Sequence, residues 1–120
     1  MEKAHKKLRV WLESMALAKQ IYKIANALPP SEQYGLASQL KRSAVSIPSN
    51  IAEGAARQGT KETIQFFMIA RGSLSEMDTQ IELCRELGLL SSSEIPSITD
   101  QISTVDSLLS GLIRYKKKGV

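Results

Sequence analysis

The 120-residue sequence holds one cysteine, one histidine, one tryptophan and two phenylalanines. A lone cysteine, Cys84, excludes an internal disulfide, and this usage fits a reducing, cytoplasmic setting. A lone histidine, His5, cannot supply the two Glu-x-x-His pairs of a di-iron bundle, and no Cys/His cluster suggests zinc. Aromatic residues make up 5% of the chain, so the core must come from Leu, Ile, Ala and Met, which favours helices over a sheet. No apolar run approaches the ~20 residues needed to cross a bilayer. The basic start "MEKAHKKLRVW" has neither an apolar stretch nor a cleavage site behind it, so it does not read as a signal peptide. The glycines follow no strand, which excludes a phosphate-cradling loop.

These absences leave little room for catalysis. His5 falls in a stretch expected to fray, and Cys84 lies on an apolar seam, where a structural thiol is expected rather than a nucleophile. Glu76, Asp78, Glu82 and Glu86 interleave with Arg71 and Arg85, a pattern of ion pairs on a helix flank. The expectation is a protein that is not an enzyme, with no catalytic residue, metal, cofactor or small-molecule substrate.

What the chain does have is helical periodicity. Apolar residues recur every three or four positions in four segments. Leu8, Trp11, Met15, Ala18, Tyr22 and Ala25 form the first seam, widened by Leu17, Ile21, Ile24 and Leu28. Ala37, Leu40, Ala44, Ile47 and Ile51 form the second; Phe67, Ala70, Leu74, Met77, Ile81 and Cys84 the third; Ile95, Ile98, Ile102, Val105, Leu109 and Leu112 the fourth. "LPPSE", "RQGTKE" and "LGLLSSSEIP" separate them, with Gly59 and Gly88 as stops, Thr60 as a cap, and Ser91 with Glu94 as a capping box. Connections this short predict antiparallel neighbours. The fold class is all-α: one domain over 1–120, an up-down-up-down four-helix bundle with helices near 6–27, 31–57, 61–88 and 93–117.

Charge is uneven along this plan. Lys3, Lys6, Lys7 and Arg9 against Glu2 give the first ten residues +3, and Arg114, Lys116, Lys117 and Lys118 give the last nine +4. The whole chain carries +4, so the body between is mildly acidic. An up-down-up-down bundle would bring both chain ends to one pole with Arg57 and Lys61. Such a pole could dock an anionic polymer. Lysine at chain ends also aids solubility, and near a helix C-terminus it suits the macrodipole.

The stretch "SIPSNIAEG", residues 46–54, sits inside the second predicted helix. Pro48 falls on its apolar arc and is expected to kink the helix without ending it. A layer holding Pro48, Trp11 and small residues such as Gly72 and Gly111 is expected, with Arg71 or a water capping the carbonyl freed at Ala44. Gly54 would be tolerated if something packs closely against it. On another face Ser43, Ser46, Asn50, Glu53 and Arg57 make a polar stripe, either solvent-facing or a contact within the bundle or between subunits.

"LKRSAVSIPSNIAEGAAR", followed by "KETIQFFMIARGSLSEMDTQIELCRELGLL", resembles the bacterial four-helix bundle proteins encoded by intervening sequences in 23S rRNA genes. A relative of that family is the accessory variability protein of diversity-generating retroelements. The resemblance rests on Arg42, Ala44, Ser46, Ile47, Pro48, Asn50, Ile51, Ala52, Glu53 and Gly54, and on Ser73, Leu74, Glu76 and Glu82. It implies a bundle that assembles into a homopentamer, and for the retroelement relative a basic barrel that binds nucleic acid and a reverse transcriptase. It implies no substrate.

The expected function is therefore an oligomer that holds the backbone of RNA or DNA through Lys3, Lys6, Lys7, Arg9, Arg57, Lys61, Arg114, Lys116, Lys117 and Lys118. Ser43, Ser46, Pro48, Asn50, Glu53 and Gly54 take architectural or interface roles. The alternative is a protein-interaction scaffold without nucleic-acid contact. No membrane role is expected, because the apolar face of the first helix is needed for the bundle.

Overall fold

A computed structural model describes residues 3–119. Four helices account for most of them: α1 (Arg9–Ala27), α2 (Leu36–Ala55), α3 (Thr60–Glu86) and α4 (Ile95–Lys118). Short 3₁₀ turns precede α1 (Ala4–Lys7) and α2 (Pro30–Glu32). No strand occurs among the described residues. The body measures 46 × 24 × 21 Å, and a 27-residue helix such as α3 runs about 40 Å, so the helices lie along the long axis.

Each helix packs on two others, α1 on α2 and α4, α3 on α2 and α4, with α2 against α3 the most extensive pair. Along that pair, Ser43 meets Gln80, Ser46 meets Ser73, and Gly54 meets Phe67, so position rises on one helix as it falls on the other. The core is aliphatic, as the shortage of aromatics requires. Leu17, Ile21, Leu40, Ile47, Ile51, Leu74, Met77, Ile81, Ile98 and Leu109 are sealed from solvent, with Phe67 as its largest side chain. Burying one such side chain contributes roughly 1.5–3 kcal/mol.

The first helix buries the Leu17, Ile21, Ile24 and Leu28 side of the expected seam, with Leu8, Trp11 and Ala18 at its edge. Val10, Ser14, Leu17, Ile21, Ile24 and Ala25 are buried, whereas Met15 and Tyr22 are exposed. The Val10–Leu28 stripe is continuous and aliphatic, while burying Tyr22 would demand a partner for its hydroxyl. Ser14 is accommodated in the stripe because its hydroxyl donates to the Trp11 carbonyl at 2.8 Å. Trp11 is half-buried at the edge of the core. His5 lies in the 3₁₀ turn with its ring edge-on to Trp11, 4.9 Å between centroids, so this stretch is packed rather than frayed.

The connections are longer than the sequence suggests, and they are closed by specific hydrogen bonds. Between α1 and α2, Gln33 donates to the carbonyls of Ala25 and Leu28 at 3.2 and 2.8 Å, capping the end of α1. α2 starts only after Gly35, whose φ of −110° and ψ of −108° break the helix. α2 stops at Ala55, before Gly59, and Gly59 rather than Thr60 occupies the cap position of α3. Gly88, with φ of +71°, ends α3. The Leu89 amide there donates to the Cys84 carbonyl and the Gly88 amide to that of Arg85, a paired closure that favours glycine. Before α4, the Glu94 carboxylate accepts from the Ser91 amide and hydroxyl at 3.2 and 2.9 Å, and Pro96 sits in the first turn.

Pro48 lies buried inside α2, and the helix runs on past it to Ala55. The small-residue layer is otherwise than expected. Gly72 is exposed with nothing close to where a Cβ would stand, and Gly111 faces only Arg114, so neither compensates a large ring. Arg71 turns to Asp106 on α4, 3.9 Å away, and not toward α2. Cys84 is buried, and that burial, followed by the charge of Glu32, pushes its thiol above the ordinary 9.0. On the α3 flank Arg85 pairs with Glu82 and Glu86. The hydrogen bond from Arg85 is the main cause that holds the Glu82 carboxyl below its usual range.

Candidate nucleic-acid interface

The 3₁₀ turn at Ala4–Lys7 docks on α1 and α2, which fixes the basic start of the chain on the bundle. A cavity of about 320 Å³ then ties this turn to three helix ends. Ala4 and Leu8 come from the start of the chain, Ala55 from the end of α2 and Arg57 from the connection after it. Thr63 and Phe67 come from the start of α3, and Tyr115 and Lys116 from the end of α4. The two basic segments and the α2–α3 connection therefore share one end of the rod.

Of the sequence-predicted cations, Lys3, Lys6, Lys7, Arg9, Arg57, Lys61, Arg114, Lys117 and Lys118 are exposed, and Lys116 is half-buried in the cavity wall. On the segments that carry these ten cations, residues 3–9, 53–62 and 112–119, the only carboxylates are Glu53 and Glu62. Arg57 is held in place: its guanidinium pairs with Glu53 at 2.6 Å and lies over the Phe66 ring, 4.8 Å from the centroid. The other end of the rod is acidic. Glu32, Glu82, Glu86 and Glu94 outnumber Arg85 and Lys23 there.

Helix electrostatics account for only part of the basic end. Lys116, Lys117 and Lys118 occupy the last turn of α4, where a cation is favourable. Arg9 opens α1, which has no acidic residue in its first turn, and Lys6 and Lys7 immediately precede it. Lys61 lies in the first turn of α3. Cations at a helix N-terminus oppose the macrodipole, by about 0.3–1 kcal/mol each. Arg9 and Lys61 thus stand where they disfavour the helices that carry them, whereas Lys6 and Lys7 close the 3₁₀ turn before α1.

The polar stripe of α2 is a contact inside the bundle over its first part. Ser43 is buried and donates to the Leu40 carbonyl and to Gln80 Oε1 on α3, both at 3.0 Å. Ser46 shares a 2.7 Å hydrogen bond with the buried Ser73 of α3. Asn50 donates to the carbonyl and hydroxyl of Ser46. Glu53 and Arg57 continue the stripe at the surface. Among the described residues no buried side-chain nitrogen or oxygen lacks a partner.

The cavity itself is not legible in the sequence. Phe67 reads as pure core, and Ala4, Leu8 and Leu112 carry no chemistry of their own. The available signals are Gly54 and Thr63. Thr63 Oγ1 donates to the Gly54 carbonyl at 3.0 Å, bonding the end of α2 to the start of α3 beneath the cavity.

No group of three or more His, Cys, Asp or Glu among the described residues is placed to hold a metal. No described helix is long and apolar enough to cross a membrane. The molecule is thus an all-α four-helix bundle with one strongly basic end. Residues 6–111 match the family model for the 23S rRNA-intervening sequence protein, and the chain belongs to that family. Comparison with curated proteins gives no match.

Proposed function

We propose that this protein acts by binding, not catalysis, and that its basic end holds the phosphate backbone of RNA or DNA in the cytoplasm. The supporting observation is the gathering of both basic chain segments and the α2–α3 connection at one end of the rod, with Arg9 and Lys61 in the first turns of α1 and α3. Arg9 and Lys61 oppose the dipoles of the helices that carry them, so helix stability does not explain those two. A phosphate polymer does. Binding of this kind releases counterions and reads little sequence.

The test is a salt series with Lys116, Lys117 and Lys118 replaced by Gln, measured on RNA and on DNA. For duplex DNA the slope of log affinity against log salt should become shallower by about 0.9 for each phosphate no longer neutralised. Unchanged retention at moderate salt would leave the reading without support.

A second reading has its own observation. Leu12, Met15 and Tyr22 leave an apolar stripe on the outside of α1, and Val45 on α2 is also exposed. Such a face suits self-association, consistent with the pentamer that the family resemblance implies, or a protein partner.

A further inference from the structure

The cavity at the basic end is not shaped for phosphate alone. Its floor carries the half-buried apolar side chains of Leu8 and Leu112, backed by the buried Phe67 ring. Phosphate gains nothing from such a floor. At the rim stand two cations, Arg57 and Lys116, and the ring of Tyr115, which is 69% exposed. Arg57 is already positioned by Glu53 and Phe66. A volume of about 320 Å³ lies at the lower end of small-ligand sites, roughly 300–1,000 Å³. A flat apolar ring attached to an anion matches floor, rim and size together.

We propose that this cavity takes one unpaired nucleotide of a bound strand, its base against the apolar floor and the Tyr115 ring, its phosphate between Arg57 and Lys116. The proposal rests on the nucleic-acid reading above and makes it specific. The cations outside the cavity hold any backbone, whereas the cavity selects strands with a free base, at an end or a bulge. Base stacking on an aromatic side chain tolerates any sequence. Discrimination is therefore between paired and unpaired structure and not between bases.

The experiment compares a blunt RNA duplex with the same duplex carrying one unpaired 3′ nucleotide, at low salt. Two variants leave every cation in place: Ala55→Leu, which narrows the cavity, and Tyr115→Ala, which removes an exposed ring. Wild type should favour the overhang roughly tenfold, within the range for one base stacked on an aromatic side chain. Both variants should lose that preference and keep wild-type affinity for the blunt duplex. Equal binding of both duplexes by wild type overturns the proposal and leaves the backbone reading standing. A preference that survives in Tyr115→Ala and in folded Ala55→Leu overturns this cavity as its source. Failure to bind either RNA duplex overturns this proposal, and failure to bind a DNA duplex as well overturns the backbone reading.

Discussion

Gly54 and Phe67 meet backbone to ring: a Cβ on Gly54 would lie 2.7 and 2.8 Å from two Phe67 ring carbons. Glycine inside a helix disfavours it by about 1 kcal/mol relative to alanine. Here the close approach reverses the usual benefit of replacing it. Gly54→Ala should lower stability by about 1–2 kcal/mol net, because the overpacking exceeds the gain in helix propensity. Urea unfolding of Gly54→Ala, Phe67→Leu and the double variant checks this. The double variant should be more stable than the sum of the single changes predicts, since removing the ring removes the clash.

The hydroxyls of Ser46 and Ser73 form a second bridge between α2 and α3, with Ser73 buried. Ser73→Ala should cost about 1 kcal/mol, leaving Ser46 with Asn50 as its remaining partner. Replacing Ser46 as well should add less than it does alone, and a double-mutant cycle on thermal midpoints measures the coupling.

Lys61 separates the binding reading from a structural one. Lys61→Glu puts an anion in the first turn of α3, four residues from Arg57. Stability should rise by about 0.3–1 kcal/mol. Affinity for RNA or DNA should fall, and its salt dependence should become shallower. A variant that loses stability and keeps its affinity would contradict both statements.

The exposed stripe on α1 gives a prediction about assembly. Leu12→Glu with Met15→Gln should leave helix content unchanged by circular dichroism, because both side chains point away from the core. Light scattering should show a smaller assembly than wild type. An unchanged mass would remove this face as the site of self-association.

Cys84 gives a pH prediction. Its folded-state pKa is raised, chiefly by burial, so the native thiol holds its proton where the unfolded one has lost it. The stabilisation from keeping it neutral is fully present below the ordinary value of 9.0 and declines as pH climbs through the folded value. Cys84→Ala removes this contribution. Its stability deficit against wild type should shrink between pH 8 and 10, an interval of about two units around the ordinary thiol pKa. A constant deficit would show that the thiol does not titrate differently in the two states.

Much of the fold is legible in the sequence because the helical period is strong. Three of the four seams are the observed core residues nearly one for one, from Ala37 to Ile51, Phe67 to Cys84 and Ile98 to Leu109. The first is too wide: Met15 and Tyr22 fall outside the buried arc, and periodicity alone does not say where on α1 the other helices stop covering it. Turn chemistry is clear at Gly88 and at Ser91–Glu94, where local backbone geometry decides. It is obscure at Ala55–Thr60, where a tertiary bond from Thr63 closes the helix end. Topology locates the cations. It does not locate the cavity between them, which depends on how four segments fail to fill one volume.

The opposite charge of the two ends has a mechanical consequence. The rod is 46 Å long, several times the roughly 8 Å over which salt screens charge at physiological ionic strength. The acidic end therefore does not cancel the basic one. Within that screening length a polyanion would be drawn to the basic end and turned away from the acidic one. Under the proposed binding the molecule would meet a strand end-on, and successive copies along it would stand side by side like bristles, their long flanks facing one another.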